Sequence, residues 1–416
     1  MLSLLRRVGL ASFAVAWVGL SAVALPAQQQ SQAMHSNQEI LARIPERMRH
    51  FVDAKTVAGA VTLVANAKDI VEFDAAGMAD IEAGQPMRKD TIFQIMSMTK
   101  PVTGIAIMML AEEGKLSVRD PVEKYLPEFK GLRVRTNTGP DAGRLGTPTH
   151  EITLRDLMTH TAGFTDGAPA VIADYRQRLN VPLDEVVRQL AKEPLLYQPG
   201  TEWSYSSAGI EVLGRIVEVC SGQKYEDFVA ERIFKPLGMK DSFFFPPADK
   251  VGRIAMVYEA KDGKLERAPG TILGGDPARH RQGSVFPAPG WGMYSTAEDL
   301  LHLYRMMLNG GVYEGKRYLS EFTVHLMTEP HTSEIRPVGW MRGSDYGLTW
   351  EVVTEPMGEL TGHWAGSFGH GGAFGTQGWI DPKSGLISIL LIQVADGDTD
   401  TMSQVFMNMA EASVMP

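Results

Sequence analysis

The chain has 416 residues, 44% hydrophobic and 21% charged, enough apolar material to bury one large domain or two closely joined lobes and too much for a disordered chain. Its formal charge of −9 comes without a long basic run, which excludes the electrostatic footprint of a nucleic-acid binder. The single cysteine, Cys220, rules out an intramolecular disulfide and repeated CxxC metal sites, and reads as a small buried apolar side chain.

At the N-terminus, Arg6 and Arg7 precede an uncharged stretch from Val8 to Ala24, with small residues in Ala22-Val23-Ala24 and Leu25-Pro26-Ala27. This three-zone pattern predicts a cleaved secretory signal over residues 1–27 and a periplasmic or secreted protein. Pro26 and the A-x-A spelling favour cleavage over a retained anchor, and no cysteine follows for lipid attachment. Loss of the segment removes two arginines and no acid, so −9 becomes −11, the charge of a soluble mature chain with no stable membrane insertion.

After a polar spacer, Ile40, Leu41, Ile44, Met48 and Phe51 fall at helical spacing and predict an N-terminal helix. Two β-rich runs, 59–66 and 70–73, flank the polar turn Ala67-Lys68-Asp69 and predict a hairpin. The middle of the chain is mostly helical in pattern, over 101–113, 154–160, 183–192, 208–219 and 296–308, with Gly114, Gly222 and Gly310 as stop signals. Residues 136–149, rich in Gly, Pro and Thr, predict a surface loop or short hairpin. Residues 346–353 read as strand, 375–380 turn through 381–385 into a second strand over 386–393, and 401–412 read as helix. Strands at both ends predict one antiparallel sheet assembled from the two termini and flanked by helices. The expected fold class is therefore α/β of the α+β type. A single domain over 38–412 would have a sheet lobe (38–96 and 340–412), a mostly helical inserted lobe (97–339) and a cleft between them.

The sharpest local signal is Ser97-Met98-Thr99-Lys100-Pro101 ahead of the apolar run Val102 to Leu110. Residues three apart share a helix face, so Lys100 can bring its amine beside the Ser97 hydroxyl. Apolar surroundings and a helix N-terminus both disfavour the ammonium form, which frees the amine to accept a proton. S-x-x-K alone fits a helix cap followed by a solvated lysine equally well, and a second copy, Ser221-Gly222-Gln223-Lys224, stands where a helix ends and lacks that context. Two further pieces raise Ser97 above a cap. The loop Trp203-Ser204-Tyr205-Ser206-Ser207 precedes a helix, and Gly369-His370-Gly371-Gly372-Ala373 opens a strand whose glycines admit a close-lying substrate.

On these residues the sequence resembles the serine β-lactamase-like superfamily, and within it class C β-lactamases and family VIII carboxylesterases. The resemblance spans nearly the whole mature chain and includes Leu154-Arg155-Asp156-Leu157-Met158-Thr159-His160-Thr161-Ala162-Gly163-Phe164, Gln198-Pro199-Gly200, Phe234-Lys235-Pro236-Leu237-Gly238-Met239 and Ser295-Thr296-Ala297-Glu298-Asp299-Leu300. It implies Ser97 as the acylated nucleophile, Lys100 as its activating neighbour and Tyr205 as the second proton-transfer group. It also implies an oxyanion hole from the backbone N–H groups of Ser97 and Ala373. Which of Lys100 and Tyr205 acts as base in each half-reaction stays open.

Two departures bear on substrate. Tyr205-Ser206-Ser207 stands where the β-lactamase pattern has Tyr-x-Asn, and His370-Gly371-Gly372 where it has Lys-Thr-Gly. Ser207 offers fewer hydrogen bonds to a substrate amide than Asn, and a His mostly neutral at pH 7 attracts a carboxylate less than Lys. With Ser207, His370, Gly371 and Gly372 lining the substrate, both changes point to a small neutral ester, with amides as secondary substrates. His160 is expected only to order a loop. No metal or cofactor is implied, since HExxH, HxxEH and calcium-loop spellings are absent, and Gly310 to Lys316 lacks the Ser or Thr and the preceding strand of a phosphate loop. Rival readings are a β-lactamase or D-amino-acid peptidase with the same chemistry, and a non-catalytic sensor that acylates once.

Overall fold

The structure, a computed structural model, describes residues 35–135, 143–164, 179–269, 280–335, 342–356 and 362–415. The expected signal segment lies outside these residues, as do 136–142 of the Gly/Pro/Thr-rich stretch and the 339/340 lobe boundary. Within the described part of that stretch, Leu145–Gly146 pairs with Val134–Arg135, which lies just ahead of it.

The N-terminal helix α1 (Gln38–Asp53) starts where Asn37 accepts hydrogen bonds from the N–H groups of Glu39 and Ile40, and it buries Leu41, Ile44, Met48 and Phe51 along one stripe. Strands β1 (Gly59–Ala65), β2 (Ile70–Asp80) and β3 (Gln85–Pro86) follow. The far end of the chain supplies β4 (Ser344–Tyr346), β5 (Glu351–Val353), β6 (Phe368–Gly371), β7 (Gln377–Asp381) and β8 (Leu386–Leu391). These form one eight-stranded sheet in the order β4-β5-β6-β7-β8-β1-β2-β3, antiparallel throughout, with the two chain ends joined where Ile389 pairs with Leu63.

Both central strands are buried on both faces, so they read as apolar runs with a split destination. Val61 and Leu63 on β1, with Ile387, Ile389 and Leu391 on β8, join the main core. Their alternates Ala60, Val64, Leu386 and Leu390 pack with α1 and with the C-terminal helix Asp400–Ala412, through Met48, Phe51, Met402 and Phe406.

Among the described residues of 97–339, helices outnumber the short strands. The centre of this part is α2 (Lys100–Glu112), buried from Lys100 to Leu110; α3 (Leu154–Met158) and α4 (Leu183–Leu190) pack on α5 (Ser207–Ser221), which packs on α2, while α6 (Ala297–Leu308) lies against β8 and β1 of the sheet. The S-x-x-K copy at Ser221 ends α5, with Gly222 left-handed at φ 74 and the serine hydroxyl accepting from the N–H of Gln223. Cys220 is half-buried against the main core rather than fully enclosed.

Two expectations need correcting. Residues 346–353 do not form one strand. The N–H of Gly347 bonds to the Trp350 carbonyl and turns the chain back, so β4 and β5 pair as a hairpin whose tip sinks Leu348, Thr349 and Trp350 into the core. Ser97 does not open α2 either. It sits in a 3-10 segment, Met96–Thr99, that leads into α2 from a left-handed Met96 at φ 50. Residues three apart eclipse in a 3-10 turn, which stacks Lys100 over Ser97 more directly than an α-helix would.

The sunken hairpin tip meets α2 at Gly104, where a Cβ would run into Thr349 Oγ1 and lie 3.0 Å from Thr349 Cβ. Thr349 cannot retreat freely, since its N–H bonds to the Met158 carbonyl and its hydroxyl to the Leu348 carbonyl. Gly104→Ala is therefore expected to lower unfolding free energy by about 1–3 kcal/mol despite the better helix propensity of alanine, as urea denaturation would measure.

Candidate active site

The 3-10 segment is clamped before any chemistry is considered. Strand Phe93–Gln94 pairs with Tyr294–Ser295, the N–H of Ile95 bonds to the Met293 carbonyl, and the Thr99 hydroxyl bridges the Met96 carbonyl and the Met293 N–H. Ser97 remains half-buried while Lys100 is fully enclosed.

The enclosed amine has three acceptors from three parts of the chain. Lys100 Nζ lies 3.0 Å from Ser97 Oγ, 3.2 Å from Ser207 Oγ in the first turn of α5, and 2.9 Å from the Gly290 carbonyl. Three acceptors match the three N–H groups of an ammonium. A neutral amine is served equally well if the Ser97 hydroxyl rotates to donate, because hydroxyl hydrogens turn to suit their partners. The same geometry thus holds Lys100 before and after it accepts a proton. Gly290 reaches this position because its missing side chain lets the loop approach Ser207, whose Cβ would stand 3.2 Å from an added methyl.

Tyr205 arrives from the loop ahead of α5. Its ring centroid is 4.4 Å from Lys100 Nζ and its hydroxyl is buried. Around it stand the rings of His160 at 4.6 Å, His370 at 6.1 Å and Trp203 at 6.3 Å, with Tyr346 against His160 at 4.7 Å. Burial, and after it the charge of Lys100, pushes His370 down to about 3 and His160 well below its ordinary value, so both imidazoles are neutral at physiological pH. His370 Nδ1 lies 2.6 Å from the Gly371 carbonyl and must carry the proton there, which leaves Nε2 to accept from the Tyr346 hydroxyl at 2.8 Å.

The end of β6 closes the site. The Thr376 hydroxyl donates to the Ile95 carbonyl at 3.2 Å, and the turn closed by Gly375 N–H to the Gly372 carbonyl puts Gly372 against Ile95, two residues before Ser97. Ala373 occupies the second position of that turn, where the backbone N–H is not used by the turn itself, and it is exposed. Ser97 has its N–H at the start of the 3-10 segment, where helical donors lack intrahelical partners.

The structure thus brings Ser97, Lys100, Tyr205, Ser207 and the Gly371-Gly372-Ala373 turn into one neighbourhood. One expectation changes in kind: both ring nitrogens of His370 are used within the protein, so any substrate contact there falls to the backbone of Gly371 and Gly372. Sequence reasoning missed Gly290 and Tyr346. The turn-dense Pro287-Ala288-Pro289-Gly290-Trp291-Gly292 was the available signal for the first, and nothing local marked the second. Among the described residues no group of three or more His, Cys, Asp or Glu could hold a metal ion, and no helix is long and apolar enough to cross a membrane.

This architecture is the β-lactamase fold. Among solved structures, EstCE1, a hydrolase with promiscuous acyltransferase activity, matches it with a TM-score of 0.74 at 24% identity over 91% of this chain and 99% of its own, a likeness of fold. Residues 44–405 match the Beta-lactamase family model. The chain is 32% identical over 365 residues to Esterase EstB of Burkholderia gladioli, covering 82% of this chain and 87% of that one. It is 30% identical over 382 residues to Lovastatin esterase of Penicillium rubens, covering 83% and 92%. The chain belongs to the beta-lactamase family, with esterases among its relatives.

The neutral His370 carries a pH signature. Its folded value of about 3 lies below the ordinary 6.5, so as pH falls the unfolded chain takes up this proton first, and stability present above 6.5 is lost on the way towards 3. His370→Gln cannot titrate. Between roughly pH 6 and pH 5 the urea-derived stability of the wild type is expected to fall by about 1 kcal/mol more than that of the variant; equal falls would mean a solvated imidazole.

Proposed function

We propose that the protein is an exported serine hydrolase that forms an acyl-enzyme at Ser97, and that it acts as a carboxylesterase on small neutral esters. The observation that carries the reading is the enclosed Lys100 amine held on Ser97 Oγ, with the Tyr205 ring beside it. Ser97 Oγ attacks the ester carbonyl carbon while its proton passes to the Lys100–Tyr205 pair. The oxyanion takes hydrogen bonds from the N–H groups of Ser97 and Ala373, a stabilisation of about 2.7–4 kcal/mol per donor in other acyl-transfer enzymes. The tetrahedral intermediate collapses, the pair returns the proton to the leaving alkoxide, and alcohol departs. Water then attacks the acyl carbon, gives its proton to the same pair, and releases the acid with the Ser97 hydroxyl restored.

Neutral substrates are favoured by what surrounds Lys100. His370, in the position of the β-lactamase lysine, is neutral and turned to Tyr346, so this wall offers no cation to a substrate carboxylate. Ser207 spends its oxygen on Lys100, which leaves less for a substrate amide than an asparagine would offer. The esterase names of two relatives agree with this preference. The signal-like residues 1–27 support export to the periplasm or medium, and the mass of the exported chain would locate the cut.

Ser97→Ala is expected to reduce aryl-ester hydrolysis by at least about a thousandfold and abolish labelling by a phosphonate ester, with the wild-type adduct mapping to the Ser97 peptide. Ser221→Ala should stay within about twofold, and Tyr205→Phe should lose about 10²–10⁴ in kcat. A cephalosporin turned over faster than the ester would replace the carboxylesterase reading by a β-lactamase one. A single equivalent of product without turnover would mark a sensor.

A further inference from the structure

We infer that His160 is a positioning residue for Tyr205, acting through its Nδ1 as the hydrogen-bond acceptor that fixes the loop carrying the phenol. The inference rests on the Ser97–Lys100–Tyr205 reading given above.

The residues on either side of Tyr205 are both tied to His160. The N–H of Ser204 donates to the His160 carbonyl at 3.0 Å, and the N–H of Ser206 donates to His160 Nδ1 at 3.2 Å. A third bond, from the Tyr197 hydroxyl at 3.2 Å, holds the same carbonyl. Tyr205 is thereby bracketed by one residue, whose ring also packs against it at 4.6 Å. The effect extends beyond the phenol. Ser206 caps α5 through its hydroxyl on the Gly209 N–H, and the next residue, Ser207, gives Lys100 its second acceptor. One imidazole nitrogen thus sets the register of both Tyr205 and Ser207 against the amine.

The residue's cost to the fold argues that stability alone does not account for it. An Nδ1 that accepts puts the ring proton on Nε2, and that buried nitrogen has no hydrogen-bond partner among the described residues. A buried donor left unpaired is destabilising. His160 also stands in the left-handed region at φ 59, sparsely occupied by any residue with a side chain. A phenyl ring would fill the same space without that orphaned N–H, but it would leave the buried Ser206 N–H without its acceptor.

That contrast defines the test. His160→Phe keeps the ring and removes the acceptor. His160→Asn removes the ring and keeps an acceptor, Oδ1, at the corresponding place, in a residue that tolerates the left-handed region. Kinetics on a short-chain aryl ester, melting temperatures and phosphonate labelling of Ser97 would be measured for both variants and the wild type. Misplacement of a reacting group by about 1 Å costs on the order of a hundredfold in rate. His160→Phe is therefore expected to remain folded and to label at Ser97 while losing more than about tenfold in kcat with KM within about threefold. His160→Asn is expected to melt lower yet keep kcat within about tenfold. A His160→Phe enzyme of near wild-type kcat, or a His160→Asn enzyme that falls as far as His160→Phe, would overturn the role. If only one variant folds, the same tenfold line applied to it decides. Wild-type Ser97 that resists the phosphonate would sink the underlying hydrolase reading instead, whereas labelled Ser97 with an unaffected His160→Phe sinks only the positioning role.

Discussion

An amine taken wholly out of water must find acceptors for every N–H it carries, and the burial of Lys100 imposes that condition on the rest of the site. Its acceptors come from the 3-10 turn at Ser97, the start of the helix at Ser207 and the loop at Gly290, which lie up to 190 residues from it in sequence. Each of the three supplies a partner for the buried amine. The arrangement therefore depends on α5 packing on α2 and on the 290 loop lying against Ser207.

The electrostatics follow from the same enclosure. Two imidazoles beside a buried amine cannot also hold protons without severe mutual repulsion in a poorly solvated space, so His160 and His370 stay neutral and act through lone pairs and single N–H groups. The Gly371 carbonyl settles His370 into one tautomer, and the Ser206 N–H does the same for His160. Neither imidazole is therefore a place near Ser97 where a proton comes and goes near neutral pH.

Much of this was legible in the sequence, for reasons that are local. β-rich runs and polar turns marked the strands at both ends, and stop signals such as Gly222 marked the helices. The three-residue spacing of Ser97 and Lys100 needs only one turn to bring them together. Tyr205 and Ser207 were readable because a helix start is itself a sequence signal. Gly290 and Tyr346 were not, since their positions depend on a loop closing against α5 and on a hairpin tip sinking beside α2. Residues 346–353 looked like one strand because Leu348 and Trp350 are apolar; their burial comes from a reversal at Gly347 that alternation alone does not encode.

The loop that carries Gly290 shows how the protein holds a carbonyl where the amine needs it. Arg281, itself buried, donates to the carbonyls of Phe244, Phe286, Pro287 and Gly292, while the Trp291 indole donates to the buried Glu211 at 3.4 Å. Burial lowers Arg281 to about 10, still high enough to keep its charge at neutral pH. A guanidinium is suited to this because its planar donors gather several carbonyls that would otherwise be stranded inside the protein. Such groups are weak contributors to net stability, because desolvating a charge offsets much of what its hydrogen bonds return. Arg281 and Glu211 thus hold the loop that brings the Gly290 carbonyl to Lys100.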